Sequence, residues 1–438
     1  MKYVHVASEK SLKSKFISQA IVRVTQNSLY SLIEGFKSQS FGLHSLNTVA
    51  KNIRKYTNEF VLPNGGHIMT DSGGYSIIKG DVHPSKIRML LECYCFYLEN
   101  EADVYDFIFS LDIPLSLKFK FFNKEHLILK WNYESLSEAK NILLAKPELI
   151  NKFFLVWQFK MMQQFGIWSR IYDHLKLGQV MQNHAIGGMV GLRGITKIHF
   201  SPFIAMAYYV LFKYMNCHFA GRDFRLHYLG MYLPYDRFEI ALLEALFRRY
   251  LGGSIPVIMT YDSINYSHVA IMNTNIKIYN MTDVGLEDLG FIPQVPESII
   301  KYVYSEEEVF QYILGELDRK MDGELLAKSD AFAPLNVFSH HNIDLYFEWL
   351  IEHYNLVEVF LSASSYTWVK KPVDEMIKRE AVKLPSLFTR HFQKAIHKNI
   401  EITYRCHRWF KRDGTEGGIE NIVHELIREI GFPHGLAR

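Results

Sequence analysis

Asp71, Asp112 and Asp262 each follow a short run rich in β-branched or aromatic residues. Gln158 and the pair Gly187-Gly188 end two further runs of the same kind. Carboxylates that converge on one mouth suit glycosidic-bond chemistry, one attacking an anomeric carbon while another handles the proton of the leaving group. A carboxylate also accepts from the N–H edge of a purine, and a glutamine with backbone amides at a glycine pair can read its carbonyl. Tyr75, four residues after Asp71, offers a flat face on which a base can stack. Any one of these acids alone is more often a helix cap or a loop ion-pair partner, and Gly73-Gly74 alone is a turn. The weight lies in the set falling in register. Spacing by itself leaves glycosidase, aldolase and base exchange open.

The elements that must position these groups recur at a regular interval. Strands are expected at 67–70 before Asp71, 104–111 before Asp112 and 153–157 before Gln158. Others fall at 185–186 before Gly187, 226–229 before Gly230 and 257–261 before Asp262, with ends about 30 to 46 residues apart. Helical patterns fill the gaps, among them HPSKIRMLLECYCFYLENEA, PFIAMAYYVLFKYM and FEIALLEALFRRYL. Strand, helix, strand at this spacing is the signature of parallel βαβ units. With a further strand at 2–7, the pattern predicts an α/β fold, a (β/α)8 TIM barrel with insertions and a helical, basic C-terminal extension. No GxGxxG follows a strand, which removes the usual dinucleotide alternative. In such barrels the active site lies at the C-terminal strand ends. Residues 1–365 are expected to form the barrel, with a helical insertion around 300–350 and a closing strand at 356–361. Residues 366–438 are expected to form the extension.

Composition sets the outer limits. The chain has 438 residues, 48% hydrophobic and 22% charged, a globular balance without repeats or low-complexity tracts. The first residues carry no apolar core of a secretory signal, and the longest apolar stretch, 203–212, is about half of the ~20 residues a membrane span needs. A cytoplasmic protein without membrane partners is expected. Four cysteines with no CxxC pair make no disulfide framework, and Cys93 and Cys95 are expected to be structural. The net charge of +3 is unevenly placed: 12 Lys/Arg face 4 Asp/Glu between Lys370 and Arg412, leaving 37 basic against 42 acidic residues elsewhere. A basic segment on a near-neutral body suggests a polyanion partner.

The segment MTDSGGYS (69–76), followed by HPSKI (83–87), resembles the queuine/archaeosine tRNA-guanine transglycosylase family. HAIGGMVGL (184–192), LHYLGM (226–231), VIMTYDS (257–263) and HHNIDLYFEWL (340–350) continue the likeness in the same order. The resemblance spans about residues 60 to 350, and DSGGY is its most specific part. It implies that Asp262 is the nucleophile that forms a covalent nucleoside-enzyme intermediate, and that Asp71 is the acid/base that also orients the base. It implies that Tyr75 stacks on the base within the pocket that Ser72, Gly73, Gly74 and Gly230 help to shape. Asp112 and Gln158 match the readers of the purine edge, and Gly187, Gly188 and Met189 the loop that meets the carbonyl. Such a reaction needs no cofactor: guanine leaves and a 7-deazaguanine base enters at the same carbon.

Two departures narrow the expectation. The family's zinc site uses CxCxxC and a later His in an HN pair. His341-Asn342 is present, but no cysteine lies between Cys217 and Cys406, so no metal is expected. Family members acting on tRNA also carry a basic sequence after the nucleophile, whereas Asp262 is followed by Ser263-Ile264-Asn265-Tyr266-Ser267-His268. Basic residues lie instead at Lys370, Lys371, Lys378, Arg379, Arg405, Arg408, Lys411 and Arg412, interleaved with Tyr404, Trp409 and Phe410. That mixture suits a nucleic-acid backbone with some stacking, or simply a solvated helix face. Both departures resemble the DNA-acting branch of the family, the DNA-guanine transglycosylases of phage and bacterial 7-deazaguanine modification systems. The expected partner is therefore DNA, with tRNA as the alternative, together with a preQ0- or preQ1-type base and possible partner proteins of the modification system. A divergent tRNA enzyme, or a non-catalytic nucleic-acid-binding subunit, are the competing expectations.

Overall fold

The computed structural model describes residues 2–7, 20–21, 23–25, 27–31, 58, 67–71, 86–100, 102–113, 125–158, 162–187, 201–231, 233–263, 276–321, 332–412, 418, 421–422 and 425. Eight strands pair in parallel in chain order: β1 (Lys2–Ala7), β2 (Asn27–Ser31), β3 (His67–Asp71), β4 (Phe107–Phe109), β5 (Phe153–Gln158), β6 (Asn183–Gly187), β7 (Phe224–Tyr228) and β8 (Val257–Ser263). β1 also pairs with β8, Lys2 opposite Thr260 and Val4 opposite Asp262, so the sheet curls into a barrel-like ring. From β3 onward the strands alternate with helices: α1 (Ile87–Asn100), α2 (Glu125–Ala145), α3 (Met162–His174), α4 (Ser201–Met215) and α5 (Pro234–Tyr250). The fold is mixed α/β.

The two faces of the strands explain the packing. Leu29, Met69, Phe109, Phe154, Val156 and Ala185 form one cluster at alternate strand positions, the filling of the barrel interior. Their neighbours Ile68, Ile108, Phe153, Leu155, Trp157, Ile186, Leu226, Met259 and Tyr261 belong to a second, larger cluster shared with the helices. Parallel strands buried on both faces read as continuous apolar runs, which is how FFLVW and VIMTY read. Full burial of a side chain such as Leu155 or Ile186 stabilises by about 1.5–3 kcal/mol, and dozens contribute.

After β8 the chain leaves the alternation. β9 (Lys277–Thr282) and β10 (Gly285–Phe291) form an antiparallel hairpin, joined by a turn in which Gly285 has φ +125°. The hairpin packs with α6 (Glu297–Val303), α7 (Glu307–Met321) and α8 (Ala333–His353) around a separate core of Ile278, Ile300, Phe310, Ile313 and Leu335. α8 is buried on several sides because it lies between this hairpin and α5. Ser339 Oγ accepts from the Tyr279 amide at 3.0 Å, and Asn342 Oδ1 from the Met281 amide at 2.9 Å.

The expected strand at 356–361 is a helix, α9 (Leu356–Ser362). A short apolar run does not distinguish the two structures by periodicity. The strand expected at 104–111 is reduced to Phe107–Phe109, preceded by a 3-10 turn at Ala102–Val104. The C-terminal segment is helical, α10 (Tyr366–Lys383) and α11 (Arg390–Arg412). α11 buries Phe392, Ala395, Ile396, Asn399, Ile400, Thr403, Cys406 and His407 at three- and four-residue spacing, the stripe of an amphipathic helix. That stripe lies in the same core cluster as the barrel's outer face and packs on α4 and α5. Among the described residues no helix is long and apolar enough to cross a membrane.

Candidate active site

The C-terminal strand ends bring together three sets of polar groups. On β8, residues alternate between Tyr261, whose ring joins the outer core, and Thr260 and Asp262, which face the interior with His227 of β7. His227 is fully buried, and its ring lies 4.8 Å from that of Phe109 across the interior. Its Nε2 is 3.1 Å from Asp262 Oδ1, and its Nδ1 is 2.8 Å from Thr260 Oγ1. The Gly230 amide donates to the same Asp262 Oδ1 at 3.0 Å. Gly230 has φ +79°, a backbone conformation a side chain would strain, and this turn aims its N–H back at β8. Asp262 therefore has one oxygen held twice, while Oδ2 has no partner among the described residues.

The second set lies on β5 and just beyond β4. Gln158 Nε2 donates to Asp112 Oδ2, and both residues are buried. The next strand leaves room for this contact: a Cβ placed on Gly187 would lie 2.9 Å from Gln158 Nε2 and 3.2 Å from its Cδ. Gly187 is thus a glycine because Gln158 lies over its backbone. Tyr94 of α1 ties down the strand before Asp112, its hydroxyl donating to the Phe109 carbonyl at 2.7 Å, and burial keeps that phenol well above its ordinary range.

Asp71 ends β3, opposite Ser31 of β2 and two residues after the interior Met69. Ser72, Gly73, Gly74 and Tyr75, and likewise Gly188 and Met189, lie outside the described residues. Asp71, Asp112, Gln158, Gly187 and Asp262 thus sit at or just past strand ends on one side of the sheet.

Behind β8 lies a buried ionic cluster that sequence reasoning missed. Arg237 of α5 donates through Nε to Asp344 Oδ1 of α8 at 2.7 Å, and Tyr261 donates to Asp344 Oδ2 at 2.5 Å. The other end of Arg237 meets His340 Nδ1 at 2.7 Å. Burial pushes the Asp344 carboxyl up, and the Arg237 guanidinium opposes that shift. The cluster anchors the outward residue that precedes Asp262, so it braces the strand carrying the candidate nucleophile. His341 and Asn342 stand beside it on α8; burial lowers the His341 imidazole, and Asn342 caps strand β9 as described above. Among the described residues no group of three or more His, Cys, Asp or Glu is arranged to hold a metal ion. Cys93 is buried and Cys95 half-buried, and burial pushes the Cys95 thiol up to about 12.

The basic residues of α10 and α11 differ in their surroundings. Lys370 pairs with Asp374 at 2.6 Å, Arg405 with Glu425 at 2.7 Å, and Lys411 donates to the Leu361 carbonyl at 3.1 Å. Lys371, Lys378, Arg379, Arg408 and Arg412 are exposed. The aromatic residues between them face inward. Tyr404 and Trp409 are buried, and Phe410 packs 5.1 Å from Tyr250 and 5.9 Å from Tyr208. Tyr404 and Trp409 are core residues and not a stacking surface, and Phe410 is half-buried against the same core. The exposed ring in the segment is Trp368, 69% accessible, on α10 with Lys371, Lys378 and Arg379 at helical spacing.

Compared with models of known protein families, with curated proteins and with solved structures, the sequence matches none.

Proposed function

We propose that this chain is a (β/α)8-barrel DNA-guanine transglycosylase, a pentosyltransferase that exchanges guanine for a 7-deazaguanine base of preQ0 or preQ1 type. The observation that carries this reading is Asp262, a carboxylate at a strand end with Oδ1 held by two donors and Oδ2 without a partner among the described residues. It stands on the same side of the sheet as a Gln158–Asp112 pair suited to a purine edge. In the proposed reaction Asp262 Oδ2 attacks C1′ as the C1′–N9 bond breaks, its electron pair leaving with guanine, which Asp71 protonates. The incoming base, deprotonated by Asp71, then attacks C1′ and the aspartyl bond breaks, returning the carboxylate. One glycosidic bond replaces another, so no cofactor or metal is required.

The exposed cations of α10 and α11 support a nucleic-acid partner, since a phosphate backbone is held by clustered Lys and Arg. DNA is favoured over tRNA because no Arg or Lys occurs in residues 263–268 after the nucleophile. A guanine in duplex DNA must flip out of the stack or be opened locally to reach the interior. Such an enzyme would work in the cytoplasm, with partner proteins of a modification system supplying base or access.

The test is incorporation of labelled guanine and of preQ0 into double-stranded DNA and into tRNA. Incorporation into DNA is expected, and Asp262→Ala should abolish it. Incorporation into tRNA alone would transfer the assignment to the tRNA enzymes, and exchange surviving Asp262→Ala would remove Asp262 as the nucleophile.

A further inference from the structure

We propose that His227 is a positioning residue that selects which oxygen of Asp262 attacks. The inference rests on reading Asp262 as the nucleophile, but it comes from a separate set of contacts. His227 is fully buried in β7, between the ring of Phe109 and the β8 residues Thr260 and Asp262. Nothing about a parallel barrel requires a histidine here; the equivalent interior positions on β3 to β6 hold Met69, Phe109, Phe154, Val156 and Ala185.

The contacts fix the ring's orientation and its tautomer together. Asp262 Oδ1, a carboxylate oxygen, can only accept, so Nε2 carries the proton that bridges the 3.1 Å contact, and Nδ1 of that tautomer accepts from the Thr260 hydroxyl across 2.8 Å. The Gly230 amide is the second donor to that oxygen, at 3.0 Å. Two donors on Oδ1 from two places after and within β7 fix the carboxylate plane, and Oδ2 is left to meet the anomeric carbon.

This assignment has a chemical consequence. When Oδ2 bonds to C1′, Oδ1 becomes the ester carbonyl and still lies against both donors. When the incoming base displaces the ester, negative charge returns to the carboxylate and spreads onto Oδ1. Donors already aimed there stabilise that developing charge without reorganising. His227 and Gly230 therefore favour breakdown of the covalent intermediate. Thr260 acts one step further back, by holding the ring.

His227→Phe keeps a flat ring, slightly larger than imidazole, and removes both ring nitrogens, His227→Gln keeps an N–H near the Nε2 position, and Thr260→Val replaces the hydroxyl by a methyl group. In exchange assays on the full chain with labelled guanine, His227→Phe should lower kcat roughly 100-fold with little change in KM, in line with the loss of one aimed donor. The fraction of enzyme trapped covalently on nucleic acid without acceptor base should rise. His227→Gln should restore most of kcat, and Thr260→Val should lower it by about 10-fold, the milder change serving if His227→Phe fails to fold. Unchanged kcat in a folded His227→Phe, or equal losses in the Phe and Gln variants, would overturn the proposal.

A readout independent of turnover separates this inference from the base-exchange reading. Nitrogen chemical shifts of labelled histidine, with His227 assigned by its loss in His227→Phe, should show the proton on Nε2 and a clear shift in Asp262→Ala. If the wild-type chain exchanged no base in DNA or tRNA, the functional reading would fall, while that shift would still uphold the His227–Asp262 link. A His227 resonance indifferent to Asp262→Ala would refute the link whatever the activity.

Discussion

Glu239→Gln should leave the protein more stable at alkaline pH and change how stability depends on pH. Glu239 of α5 is fully buried, and its one described partner is Thr403 of α11, whose hydroxyl donates to Oε1. Its Oε2, and both amide atoms of Asn399 one turn from Thr403, have no partner among the described residues. Burial pushes the carboxyl from its ordinary value of 4.5 up to about 8. The folded state therefore holds this proton through a range in which the unfolded chain has released it. The contribution is fully present below pH 4.5 and is lost as pH rises towards about 8, at ~1.4 kcal/mol per unit. Between pH 5.5 and 7.5 the wild type should lose about 2–3 kcal/mol relative to the glutamine variant, which cannot ionise. Denaturant titrations of both proteins at several pH values in that window measure the difference, and other titrating groups cancel in the comparison. A difference that stays flat with pH would mean that Glu239 is already ionised in the folded protein, and the buried-acid reasoning would be wrong.

Other substitutions test other parts of the structure. Asp344→Ala strands Arg237 without its carboxylate and unties Tyr261, so unfolding free energy should fall by about 3–5 kcal/mol in a chemical melt. Gly187→Ala puts a methyl 2.9 Å from the Gln158 amide; KM for the incoming base should rise several-fold while the melting temperature changes little, and an unchanged KM would remove Gln158 from base reading. Replacing Lys371, Lys378 and Arg408 by glutamine should weaken DNA binding and reduce the slope of log affinity against log salt by up to about 3, measured by fluorescence anisotropy. Trp368→Ala should weaken binding to single-stranded DNA by ~1–3 kcal/mol in the same assay if the exposed ring stacks on a base; equal affinity would make it a bare surface tryptophan.

The sequence exposes some of this architecture plainly, and the reasons are physical. Strands buried on both faces cannot hide their apolar character, so FFLVW and VIMTY stand out, and the polar residues that end them mark the mouth. Asp262, Gln158 and Gly187 were found by that punctuation. β2 and the β9–β10 hairpin were not, because NSLYS is short and polar and GLEDLGF is half exposed, so neither carries a long apolar run. His227 escaped for a different reason: it stands inside a strand rather than at its end. Its parity with Thr260 and Asp262 is visible in the letters, but pairing it with Asp262 needs the β7–β8 register, Tyr228 opposite Tyr261. The rings of Tyr404, Trp409 and Phe410 looked like a stacking surface because they alternate with cations. Ile400, Thr403, Cys406 and His407 place the buried stripe of α11, and the rings follow that stripe inward while Arg408 and Arg412 point out. Interleaving along a sequence is not interleaving on a surface when the period is 3.6.

The packing of α11 on α4 and α5 also bears on how the protein is made. Tyr208, Phe212 and Tyr250 are covered by Trp409, Phe410 and His407, contributed more than 150 residues later. A ribosome that has delivered every strand of the sheet has still not delivered their cover. Until residue 412 emerges, the nascent chain presents an aromatic flank wide enough to attract chaperones or other unfinished chains. A chain truncated near residue 365 would keep every candidate catalytic group and should still collect as inclusion bodies.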